Sequence, residues 1–104
     1  MSGVRILDWR ALRKNSLIGF AKAELPSGMV IADVTVLTSE GGAWASPPSK
    51  PMIGRDGSVM KDANGKIKYQ PIIEFTSKNV RDKFSRAVVE ALRAAHPEAL
   101  ENAR

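Results

Sequence analysis

The chain contains no cysteine. That absence excludes disulfides, thiolate metal sites and cysteine nucleophiles. It has a single histidine, His96, directly before Pro97, and one imidazole cannot build a histidine-rich metal centre. No run approaches the ~20 apolar residues needed to cross a bilayer. The opening residues Met1-Ser2-Gly3-Val4-Arg5 lack the apolar stretch of a signal peptide. Together these predict a cytoplasmic protein with no membrane partner. Ser16, Ser39, Ser46 and Ser49 lie in turn-like surroundings, where serine bonds to backbone. No motif places a base or an oxyanion donor beside them. The reading is therefore a non-enzyme, with no cofactor, no metal and no small-molecule substrate.

What is present is ordinary globular material. Hydrophobic residues make up 43% and charged residues 26% of 104 positions. That length supports one domain, residues 1–104, with one modest core. Lys and Arg total 16 against 11 acids, a net charge of +5, which permits an acidic partner.

Periodicity divides the chain. Val4–Arg13 alternates, with Val4, Ile6 and Asp8 on one side and Arg5, Leu7, Trp9 and Ala11 on the other. Leu17–Leu25 is a second strand after a Lys14-Asn15-Ser16 turn. Met29–Thr38 is the strongest strand. Strict alternation there sets Val30, Ala32, Val34 and Val36 against Met29, Ile31, Asp33, Thr35 and Leu37. A short fourth strand, Ala43–Ser46, centres on Trp44 and stops at Pro47-Pro48. Trp44, Phe20, Phe75 and Phe84 read as core side chains.

The stretch 50–69 differs. Asn64-Gly65 between Val59-Met60-Lys61 and Lys66–Tyr69 predicts a β-hairpin with a type I′ turn. Pro71–Phe75 follows as a short strand or extended lead-in. From residue 77 the period becomes helical: Val80, Phe84, Val88, Ala91 and Ala95 share a face, widened by Ala87 and Leu92. Thr76 or Ser77 supplies the cap and Pro97 the stop, giving a helix over 77–96. No internal repeat stands out.

The expected fold is α+β: a four-stranded antiparallel meander with an inserted β-hairpin arm and a C-terminal helix. One helix covers one sheet face. The apolar pattern on both faces of Met29–Thr38 asks for a second cover. A second copy would supply it, making a homodimer, or the arm would fold over that face.

The segment V-I-A-D-V-T-V-L-T-S-E-G-G-A-W-A-S-P-P-S-K-P-M-I-G-R-D-G, from Val30 to Gly57, resembles the SpoVG family of bacterial septation and sporulation regulators. The matching features are Asp33 within a hydrophobic strand, Gly41-Gly42, Trp44, Pro48-Ser49-Lys50 and Asp56-Gly57. Gln70-Pro71-Ile72 resembles the family's His-Pro-Ile segment, and the likeness covers roughly residues 4–93. The stretch Ser58–Tyr69 is longer than the family's usual loop, and Lys50 is followed by Pro51 where the family often has a second basic residue. The resemblance implies a dimeric, DNA- or RNA-binding regulator of gene expression linked to septation.

Residue chemistry allows that role. Clustered cations give sequence-independent affinity for phosphate. The candidates are Lys50, Arg55, Lys66 and Lys68 in the arm, and Lys78, Arg81, Lys83 and Arg86 in the helix. Tyr69, beside Lys66 and Lys68, is the candidate for stacking on bases. Asp82, Glu90, Glu98 and Glu101 dilute the helix charge, as an ordinary solvated face would. The arm reads either as a basic finger or, because Met52, Ile53, Val59, Met60 and Ile67 are apolar, as an exchanged dimer element. The alternative function is a protein-interaction scaffold acting through a dimer surface without nucleic acid.

Overall fold

A computed structural model of the chain describes residues 3–101. Four strands, β1 (Arg5–Lys14), β2 (Leu17–Glu24), β3 (Val30–Ser39) and β4 (Gly42–Ser46), form an antiparallel sheet in the order β1-β2-β3-β4. β5 (Ser49–Pro51) and β6 (Tyr69–Pro71) form a separate two-stranded sheet. The helix α1 (Lys78–Ala95) and the short α2 (Glu98–Glu101) follow. The architecture is α+β, a meander with an arm and a C-terminal helix.

The register shifts at four places, once between Ala11 and Lys14 beside the β1–β2 turn and at three further irregularities that break strict alternation. In β1, Ile6 pairs with Ala23 while Asp8 pairs with Lys22, so the extra residue is Leu7. Ile6 and Trp9 consequently both pack against the core, where alternation had set them apart. In β2 the register slips between Leu17 and Gly19, so two steps on β2 match one on β3. In β3, Ala21 pairs with Val34 and Ala23 with Ile31, leaving one unpaired residue too many in β3. Asp33 takes it up in the left-handed region, φ 56°. The inward set is therefore Ile31, Val34, Val36 and Thr38, all buried. Val30 and Ala32 fall outward, a correction to the sequence pattern.

Gly19 shows how tightly β1 and β2 approach. A Cβ there would lie 2.4 Å from the Arg10 carbonyl oxygen and 2.6 Å from the Trp9 ring. No side chain fits, so the indole lies directly over the glycine.

Ser77 caps α1: its hydroxyl accepts the Val80 N–H at 3.2 Å. The helix packs on β4 and β1 through buried Phe84, Ala87, Val88, Val89 and Leu92. Leu92, Val34, Val36 and Val88 are the largest fully buried side chains, each contributing about 1.5–3 kcal/mol on burial. The buried stripe is turned from the expected one. Val80 is 38% exposed and Ala95 is exposed, while Val89 is buried. On that side of the helix the Ser85 hydroxyl accepts the Ala45 N–H at 2.8 Å, tying α1 to β4. Phe75 packs on Phe84 with ring centroids 5.3 Å apart. The segment 73–75 contributes these contacts without forming a strand.

On the opposite face of the sheet the side chains are exposed or half-buried. Across it runs the cross-strand row Leu17, Leu37, Trp44. Trp44 is 40% exposed there, not in the core. Phe20 also lies outward, half-buried, with the Arg10 guanidinium 5.7 Å over its ring. The arm does not cover this face with its apolar residues, since Ile53, Val59, Met60, Ile67 and Tyr69 are all exposed.

Candidate nucleic-acid interface

The arm is not one hairpin. Pro51 pairs with Tyr69, Ile53 with Val59 and Lys61 with Ile67. The three pairings meet at Met52, Met60 and Lys68, which form a closed ring of backbone hydrogen bonds. Met60 N–H donates to the Met52 carbonyl at 2.9 Å, Lys68 N–H to Met60 at 3.0 Å, and Met52 N–H to Lys68 at 2.8 Å. A stem and two short lobes therefore radiate from one junction.

The junction residues lie eight apart, and the lobes are two versions of one octad: M-I-G-R-D-G-S-V from Met52 and M-K-D-A-N-G-K-I from Met60. Each octad has Gly at its sixth position with positive φ, 83° at Gly57 and 79° at Gly65. The lobe turns close through Gly57 N–H to Gly54 and Gly65 N–H to Asp62. Asn64 has no positive φ, so the second turn is not the expected type I′. Asp62 holds it instead, accepting from the Asn64 and Lys66 N–H groups at 2.8 and 3.0 Å. In the first lobe Asp56 accepts from the Ser58 hydroxyl at 2.7 Å and its N–H at 3.0 Å. These bonds, the hydroxyl's foremost, hold the Asp56 carboxyl below its ordinary pKa.

Strand alternation sorts the arm's side chains onto two faces. Pro51, Ile53, Val59, Lys61, Ile67 and Tyr69 share one. Lys50, Met52, Met60, Lys68 and Gln70 share the other. Tyr69 is 58% exposed. Its sequence neighbour Lys68 is thus on the far side, and Lys61, a member of the basic finger read from the sequence, is on the Tyr69 side. Arg55 sits in the first lobe's turn and Lys66 follows the second lobe's turn.

The arm's base meets the start of α1. A cleft of about 400 Å³ is lined by Pro47 and Pro71 from the arm side and by Ser77, Lys78 and Arg81 from the helix. Ile73, Phe75 and the exposed carboxylate of Glu74 also line it. A second cleft of about 350 Å³ runs between β4 and α1 and includes Arg86 and Arg93 with Asp82 and Glu90. Sequence reasoning nominated Arg86 but not Arg93. Lys83 is exposed on the helix.

The first turn of α1 contains no acidic residue, and two cations, Lys78 and Arg81, stand at the positive end of the helix dipole. Among the described residues, Arg81 is the one nominated cation with an ion pair, 3.6 Å to its neighbour Asp82. Lys50, Arg55, Lys66, Lys68, Lys78, Lys83 and Arg86 have none within 4 Å among the described residues. Asp33 has a structural role: it holds the β3 bulge and accepts from Arg10 at 2.7 Å. Among the described residues no group of three acidic or histidine side chains could hold a metal. Among the described residues no helix is long and apolar enough to cross a membrane. No protein-family model matches the chain, and no curated protein matches it.

Proposed function

We propose that this protein is a SpoVG-like, dimeric, nucleic-acid-binding regulator that contacts phosphates through the first turns of α1 and through the arm. The observation that carries the reading is the pair of cations at the start of α1. Lys78 and Arg81 sit where the helix dipole already disfavours positive charge; the first turn holds no acid, and only Arg81 has an offsetting carboxylate, Asp82 at 3.6 Å in the next turn. A bound phosphate relieves that repulsion and meets the helix's free N–H groups. The cleft beside this turn is lined by Lys78 and Arg81 together with Glu74 and the prolines at the arm base, Pro47 and Pro71, and the arm cations lie outside it. Contacts of this kind fix position and carry little sequence information.

The sheet face opposite the helix supports the dimer. Leu17, Leu37 and Trp44 form an apolar row that a second copy would bury. The same row favours a second reading, a scaffold that holds another protein there.

Binding is read by fluorescence anisotropy of a labelled oligonucleotide at low salt. Replacing Lys83 and Arg86 together by Ala weakens binding alike on every sequence. A double variant that binds as the wild type removes the helix from the interface. Sedimentation equilibrium yields twice 11.3 kDa for the dimer. Trp44→Glu returns it to one chain's mass, whereas a wild type already at that mass contradicts the dimer.

A further inference from the structure

We infer that the Tyr69 face of the arm is a stacking platform for the bases of single-stranded nucleic acid; the inference rests on the nucleic-acid reading above and adds the form of the ligand. The three-way junction makes the platform. It brings Ile53, Val59, Ile67 and Tyr69 onto one face from three separate pairings. All four are exposed, Tyr69 and Ile53 more than half.

Charge then selects the occupant. The arm carries Lys50, Arg55, Lys61, Lys66 and Lys68 against Asp56 and Asp62. Both carboxylates accept bonds within their own lobe turns, and none of the five cations is ion-paired among the described residues. A second copy presenting this same arm would meet its five cations with like charge. A single strand meets it with phosphates for Lys61 on the same face and for the other arm cations at its edges, and with unpaired base faces for the apolar disc. Base faces stack on aromatic and apolar side chains irrespective of sequence. Duplex DNA keeps its bases stacked inside and offers the disc nothing.

The test is anisotropy titration of the full chain with a labelled oligo-dT strand and with a duplex of the same length. Tyr69→Ala weakens single-strand binding about five- to hundredfold, the effect of losing one stacked base. Duplex affinity stays within about twofold, and the slope of log K against log salt is unchanged because no phosphate contact is lost. Tyr69→Phe keeps wild-type affinity for the strand. Equal losses on strand and duplex, or no loss on the strand, overturn the platform while leaving phosphate binding intact. A Tyr69→Ala chain that sediments as a monomer where the wild type is a dimer also overturns it, making the arm a dimer element. A wild type that binds neither form at low salt overturns both this inference and the reading beneath it.

Discussion

Lys78→Glu should stabilise the fold and weaken the function at once. Lys78 is the first residue of α1, and no acid lies in that turn. A carboxylate at a helix N-terminus is favoured by roughly 0.3–1 kcal/mol, and a cation there is disfavoured. Two side-chain terms nearly cancel. The new carboxylate gains Arg81 three residues on and meets Asp82 four residues on, each pair worth about 0.2–0.5 kcal/mol with opposite sign. The dipole remains, so the net gain is about 0.5–1 kcal/mol. For a chain of this length that raises Tm by roughly 2–8 °C. Calorimetry reads the stability and anisotropy reads oligonucleotide binding on the same sample. Binding should weaken, and the slope of log K against log salt should fall in magnitude by about 0.9 for the lost duplex phosphate contact. A variant that is less stable than the wild type refutes the dipole argument. One that is more stable and binds equally well removes Lys78 from the interface.

Three further outcomes test the packing. Gly19→Ala forces a methyl against the Arg10 carbonyl at 2.4 Å and the Trp9 ring at 2.6 Å. It should cost about 3 kcal/mol, the upper end of overpacking, because backbone cannot rotate away; a Tm loss below a few degrees would show that β1 and β2 separate easily. Ser85→Ala leaves the N–H of buried Ala45 without its partner and should cost about 1–3 kcal/mol in urea denaturation. Asp56 has its pKa lowered in the fold, so its support of the first lobe is complete above 3.8 and is lost as pH falls through the lowered value. The Ser58 amide resonance, followed by NMR, should therefore titrate with its midpoint below 3.8. Movement centred above 3.8 would contradict the hydrogen bonds drawn to Asp56.

Composition and local pattern carried the element order because those signals are local. Ser77 before an amphipathic run marked the helix start, and Pro26-Ser27-Gly28 marked the β2–β3 turn. The bulges at Leu7 and Asp33 were hidden because an inserted residue leaves no compositional trace. Alternation simply changes phase, and only pairing with a neighbour reveals it. Trp44 misled for a related reason: size argues for burial, but its position opposite Leu37 puts it on the face without a helix. The arm's architecture was within reach. Asp56-Gly57 and Asn64-Gly65 lie eight residues apart, as do Met52 and Met60. Reading only the second Gly pair as a hairpin concealed the repeat. The separation of Tyr69 from Lys68 follows from alternation alone, yet their adjacency in sequence suggested a shared site. Ser85 gave no signal, since a mid-helix serine acquires its role from a strand forty residues earlier.

The central claim is that phosphate neutralisation drives binding, and the salt dependence of oligonucleotide affinity tests it most directly. If Lys78, Arg81, Lys83 and Arg86 each neutralise one phosphate of a duplex, log K should fall linearly with log salt with a slope of about −3 to −4. A flat profile, or no binding at low salt, would contradict the account.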